Sequence, residues 1–155
     1  MKKYLSLIKF SHTIFAMPFA LIGFFLATKL YEFKWISLIY IILCMIFARS
    51  AAMAFNRYVD RDIDKKNKRT SSIREIPNGT ISAKNAFIFV IINSVLFIAT
   101  TYFINNLCLF LSPVALIIIL GYSYTKRFTP LCHLILGLGL SLAPIGAYLA
   151  VSNQF

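Results

Sequence analysis

Five apolar runs, each close to the length that crosses a bilayer, constrain this chain more than any other feature. They cover roughly Phe10–Ala27, Trp35–Phe55, Ala86–Ile104, Leu107–Tyr124 and Leu131–Val151. In hydrocarbon every backbone donor and acceptor needs an internal partner, so runs of this length fold as helices. Hydrophobic residues make up 59% of the 155-residue chain and aromatic residues 15%, and the mean hydropathy is +0.77. These values exceed the apolar content of ordinary soluble domains. The expected fold is all-α: one polytopic membrane helical bundle of about five spans, residues 1–155 forming a single membrane domain. The first run follows Lys2 and Lys3 but is too long for a signal-peptide core and lacks a cleavage site, so it reads as a retained helix. The preceding Lys3–Phe10 segment reads as a short amphipathic stretch lying at the interface.

The net charge of +11 would suit nucleic acid, but its distribution argues against that partner. Lys2, Lys3 and Lys9 precede the first span; Arg57, Arg61, Lys65, Lys66, Lys68, Arg69, Arg74 and Lys84 separate the second from the third; Lys126 and Arg127 separate the fourth from the fifth. The opposite side carries only Lys29 and Lys34. The positive-inside rule then gives one orientation in the cytoplasmic membrane, with the amino end and both basic loops cytoplasmic. Cys44, Cys108 and Cys132 fall within apolar runs and read as packing residues, and no Cys or His cluster has metal-ligand spacing.

Acidic residues are scarce, which makes their placement informative. Three of the five fall in Asn56-Arg57-Tyr58-Val59-Asp60-Arg61-Asp62-Ile63-Asp64, directly after the second run. Carboxylates beside a membrane are costly and are seldom kept without a use. Residues four apart share a helix face, about 6 Å apart along the axis. Asn56, Asp60 and Asp64 thus form a stripe of hard oxygens suited to Mg²⁺, which takes one or two carboxylates and shares its remaining positions with phosphates. Asp62 lies off the stripe and reads as solvated. A solvated loop of alternating charge is the competing reading of the whole segment.

Cations gather around this stripe. Arg49 lies seven residues earlier and two helical turns deeper, on roughly the same side. Arg69 and Arg74 can fold back over the helix end. Tyr122 and Lys126, four apart at the end of the fourth span, emerge on the same membrane side; alone they also fit an interfacial anchor pair. Arg127 reads as a topology charge. Metal ions and Arg/Lys clamps neutralise charge that grows on a departing phosphate oxygen. A phosphorylated lipid fits this setting, its tail running between helices that offer Phe15, Phe19, Phe24, Phe25, Tyr40 and Phe47 as lining. The small-residue run Gly137–Gly146 reads as a seam for close helix approach, either within the chain or with helices outside it.

Together these residues resemble the UbiA superfamily of intramembrane aromatic prenyltransferases. The likeness rests on Asn56-x-x-x-Asp60-x-x-x-Asp64 after the second helix, Arg69-Thr70 with Arg74 and Gly79 in the next loop, and Tyr122-x-x-x-Lys126 after the fourth. The wording Ile8-Lys9-Phe10-Ser11-His12-Thr13, Met53-Ala54-Phe55-Asn56-Arg57 and Lys126-Arg127-Phe128-Thr129 is most similar to the 4-hydroxybenzoate polyprenyltransferase and menaquinone-type branch of quinone biosynthesis. The resemblance implies Mg²⁺ on Asn56, Asp60 and Asp64 holding the diphosphate of a polyprenyl donor. It implies diphosphate contacts from Tyr122, Lys126 and the loop arginines Arg69 and Arg74. The allylic cation would be attacked by a small aromatic acceptor. Apart from the resemblance, the position of Arg49 suits the acceptor end or the motif end of the cavity.

The departure from that family is equally specific. The resemblance implies nine helices and a second aspartate motif after the sixth, whereas this sequence has five apolar runs and no Asp or Glu after Glu75. It reads as an amino-terminal half whose activity needs a complementary carboxyl-terminal half. The alternative is a non-catalytic membrane remnant or scaffold that binds lipid diphosphates. An ion channel would need polar residues deep in several spans, and only Arg49 and Asn93 stand out.

Overall fold

The computed structural model describes residues 2–154 apart from Pro130; the side chains of Lys2, Phe10 and His12 also lie outside the description. The side chains of Lys2 in the amino-terminal basic group and of Phe10 and His12 in the Ile8–Thr13 motif thus lie outside the described residues. Among the described residues the chain is all helical. The elements are α1 (Lys2–Leu7), α2 (Phe10–Ala27), α3 (Trp35–Lys66), α4 (Lys68–Ser71), α5 (Ala83–Ile104), α6 (Asn106–Thr125) and α7 (Cys132–Ser152). Four of them (α3, α5, α6 and α7) are long and apolar enough to cross a membrane, and Thr13–Ala27 within α2 is a shorter apolar helix. This is an integral membrane architecture.

The expected spans correspond to helices, with one consequential difference in length. The run ending at Phe55 continues without a break to Lys66, making α3 a helix of 32 residues. At 1.5 Å per residue it is about 48 Å long, against about 30 Å of hydrocarbon. Its final turns must therefore project past the apolar slab, and those turns carry the acidic stripe. Lys65 and Lys66 occupy its last turn, where cations complement the helix dipole.

The connections follow local chemistry. Asn67 caps α4, its side-chain oxygen accepting from Arg69 N at 3.0 Å. The Pro77-Asn78-Gly79 turn forms as its composition demands: Gly79 has φ 77° and Asn78 Oδ1 accepts from Thr80 N at 2.9 Å. Ser82 caps α5 by accepting from Asn85 N at 3.2 Å. Asn105 alone joins α5 to α6, making the expected tight hairpin. Its Oδ1 caps α6 at Cys108 N (2.7 Å), and its Nδ2 donates to Leu149 O of α7 at 3.0 Å.

Helix α3 packs most extensively on α5, and α2 on α7. Small residues permit the first contact: Ala51, Ala54 and Ala86 are completely buried. Leu7 and Ile8 insert into the same cluster, so the amino-terminal segment is not simply an interfacial stretch; one face of it is core. The Gly137–Gly146 run meets a described helix closely at one point. A Cβ on Gly137 or Gly146 would meet nothing within 4 Å, so these glycines do not seat a close neighbour among the described residues. The close approach lies at Pro144, whose backbone a Cβ on Gly23 would strike.

Candidate functional site

Helix α3 presents Asn56, Asp60 and Asp64 on one face, and two other segments deliver cations to it. The end of α6 brings Lys126, whose ammonium donates to Asn56 Oδ1 and to Asp60 Oδ2. The neighbouring Arg127 donates to Val59 O and lies 3.9 Å from Asp60 Oδ1. The loop after α4 turns back, fixed by Thr70 Oγ1 donating to Asp64 O at 2.9 Å. That fold-back lets Arg74 bind Asp64 Oδ2. The Asp60 and Asp64 side chains are only 14% and 8% exposed, so these are sheltered charge pairs, not surface ones.

Two further charges belong here that the sequence did not single out. Arg57, next to Asn56, is buried, and its Nε has no hydrogen-bond partner among the described residues. The charges of Arg74, Glu75, Asp64 and Asp60 all act on it. Arg127 is not merely a topology charge, since it grips the backbone of the acidic turn. The arginine–backbone bond spans 68 positions of sequence, so no local pattern could reveal it.

Other expected residues separate into two groups. Arg49 and Tyr122 line an apolar cleft of about 250 Å³ between α2, α3, α5, α6 and α7. Arg49 Nε is buried there without a partner. Tyr122 is one turn, about 6 Å, below Lys126, and Arg49 is two turns, about 10 Å, below Asn56. The charged cluster therefore stands at the mouth of the cleft. Arg69 is not gathered in among the described residues: it is exposed, and its backbone N–H donates to Asn67 Oδ1. Asp62 is solvated as expected, its side chain 75% exposed. Of the six aromatics expected as lining, Phe19 borders the cleft, while Phe24 is completely buried in the core between α2 and its neighbours. Cys44 and Cys108 line the cleft wall and are free thiols.

The donor set suits a hard cation that shares its shell with phosphate. It offers two carboxylates and one amide oxygen, all hard ligands on a single face. No group of three or more His, Cys, Asp or Glu side chains among the described residues could hold a metal alone. A cation here would need oxygens from elsewhere, which a diphosphate supplies.

The model of the UbiA prenyltransferase family matches residues 16–155. The chain belongs to that family.

Among its UbiA-family relatives, the 4-hydroxybenzoate octaprenyltransferase of Aliivibrio fischeri strain MJ11 is 37% identical over 120 residues, covering 77% of this chain and 42% of the relative. The enzyme of the same name from Aliivibrio salmonicida is 38% identical over 121 residues, with the same coverage of 77% and 42%. The chain thus spans well under half the length of these relatives. Among solved structures, the apo UbiA homolog from Aeropyrum pernix K1 superposes with a TM-score of 0.84 at 36% identity, covering 92% of this chain and 50% of that one. The UbiA homolog from Archaeoglobus fulgidus bound to GPP and Mg²⁺ superposes with a TM-score of 0.78 at 24% identity, over 99% of this chain and 55% of that one, a likeness of fold.

Proposed function

We propose that this chain, a single membrane domain, is the donor-binding half of a polyprenyltransferase. The reaction moves a polyprenyl group from its diphosphate to a small aromatic acid of the 4-hydroxybenzoate or naphthoate type, in quinone biosynthesis. The observation that carries the reading is the acidic stripe, ringed by cations, at the mouth of an apolar cleft. A polyprenyl diphosphate has the same polarity: a polyanionic head and an apolar tail. The names of the octaprenyltransferase relatives support the donor and acceptor classes, and the homolog bound to GPP and Mg²⁺ supports the metal.

Asn56, Asp60 and Asp64 would hold Mg²⁺, which neutralises charge on the departing diphosphate. Lys126, Arg74 and Arg127 reach the diphosphate oxygens and stabilise the same charge. Tyr122 stands where head meets tail. The cleft walls keep water from the allylic carbon as its bond to oxygen breaks. Arg49 lines the cleft, and its guanidinium orients the acceptor through the acceptor's carboxylate, a charge-assisted contact. Arg69, exposed and away from the stripe, serves at most as a steering charge. The orientation follows the basic loops, with the stripe on the cytoplasmic side.

A cleft of about 250 Å³ is smaller than the roughly 300–1,000 Å³ of sites that enclose a ligand. Together with the coverage of only 42% of the octaprenyltransferase relative and 50% of the solved homolog, this supports a site that further helices of the family fold complete. A scaffold that binds lipid diphosphates without turnover is the second reading, favoured by the small volume of the cleft. Reconstitution separates the two. The chain and a carboxyl-terminal half from a relative, combined in liposomes, should prenylate 4-hydroxybenzoate in the presence of Mg²⁺. Diphosphate binding without product under those conditions would favour the scaffold.

A further inference from the structure

Lys126 holds the oxygens of the metal face itself. Its ammonium donates to Asn56 Oδ1 and Asp60 Oδ2, two of the three groups assigned to Mg²⁺ above. We propose that Lys126 is a resident cation of this face: it competes with Mg²⁺ for these oxygens, so the metal alone binds weakly, and it passes from Asp60 to the diphosphate when metal and diphosphate bind together. This inference rests on the metal role proposed for the stripe and concerns the order in which its ligands enter.

Charge balance supports it. The carboxylates of Asp60, Asp64 and Glu75 lie among four cations, Arg57, Arg74, Lys126 and Arg127. The cluster already has an excess of positive charge, so a bare divalent cation would deepen the repulsion. A diphosphate carries more negative charge than Mg²⁺ carries positive. The pair therefore enters as a net anion and relieves the excess.

The local mechanics also permit the exchange. The backbone of Lys126 is fixed as the cap of α6, its N–H bonded to Tyr122 O at 3.4 Å. Its side chain is a flexible stem with three rotatable donors, able to trade a carboxylate for a phosphate without moving the helix. Arg127 stays anchored to Val59 O and 3.9 Å from Asp60 Oδ1, so Asp60 keeps its place when the lysine departs. Arg74 binds Asp64 through Oδ2; Asp64 is thus held by a separate cation and does not depend on Lys126.

The test is a Mn²⁺ titration by electron paramagnetic resonance on the full chain in nanodiscs, for wild type, Lys126→Gln and Asp60→Asn. Each is titrated alone and with geranyl diphosphate. Lys126→Gln should bind Mn²⁺ alone about tenfold more tightly than wild type, the loss of one charge-assisted contact that competes for the oxygens. It should also lose most of the gain that the diphosphate gives wild type. A second measurement needs no variant: saturating Mg²⁺ alone should raise the rate at which an amine-reactive acylating reagent modifies Lys126 in wild type, and added geranyl diphosphate should lower it again. If Lys126→Gln binds Mn²⁺ no more tightly than wild type and Mg²⁺ leaves the acylation rate unchanged, while Asp60→Asn abolishes binding, the exchange is overturned and the metal face stands. If Asp60→Asn binds as wild type does, both ideas are overturned.

Discussion

Ser6 and Glu75, 69 positions apart, share a hydrogen bond of 2.5 Å, with the Ser6 hydroxyl donating to Glu75 Oε1. It ties α1 to the loop that carries Arg74. Glu75 also acts on the buried Arg57, and its backbone oxygen accepts from Ile81 N at 3.0 Å. Glu75→Gln keeps the shape but removes a charge facing Arg57. It should weaken Mg²⁺-dependent geranyl diphosphate binding by about three- to tenfold, whereas Ser6→Ala should cost less than about threefold. Isothermal titration of both variants in nanodiscs reads the difference; equal, negligible effects would show that the loop holds its place without Glu75.

Arg49 separates donor binding from acceptor binding. Its unpaired Nε is a cost to the fold, so Arg49→Met should leave thermal stability unchanged or slightly raised. The same variant should bind 4-hydroxybenzoate about 10- to 100-fold more weakly, the size of a lost contact to a charged group. Geranyl diphosphate affinity should be retained. Loss of donor binding in this variant would assign Arg49 to the diphosphate instead.

Gly23 is the test of packing. Because its Cα faces the Pro144 backbone of α7, Gly23→Val forces α2 and α7 apart, at a cost of about 1–3 kcal/mol typical of overpacking. Gly137→Val, in open space, should cost far less. Thermal unfolding of the two in the same detergent, monitored by Cys44 or Cys108 labelling, compares them. A similar loss for both would place the crossing elsewhere.

The spans and the acidic stripe were legible because each depends on a short-range rule, while Lys126 and Arg74 were reached through the shared membrane side of the basic loops and the family resemblance. Apolar length marks a span, four-residue spacing marks a helix face, and basic loops mark a membrane side. What escaped was long-range. That α3 continues through Lys66 depends on the acidic turns being held by α6 and the α4 loop, because charged residues alone read equally as loop. Arg127 reads as a topology charge until the fold carries it to Val59. Leu7 and Ile8 read as interfacial until Ala51, Ala54 and Ala86 leave room for them. The glycine-rich run was legible only in part: small residues permit close approach, and α2 makes it at Pro144 while Gly137 and Gly146 face open space.

The central claim is that one stripe of α3 seats a divalent cation that grips a lipid diphosphate. Its most direct test is the affinity of the nanodisc-embedded chain for geranyl diphosphate with and without Mg²⁺, for wild type, Asp60→Asn and Asp64→Asn. The account predicts that wild type binds in a Mg²⁺-dependent manner and that either substitution abolishes that dependence. Mg²⁺-dependent binding of wild-type strength in both variants would contradict it.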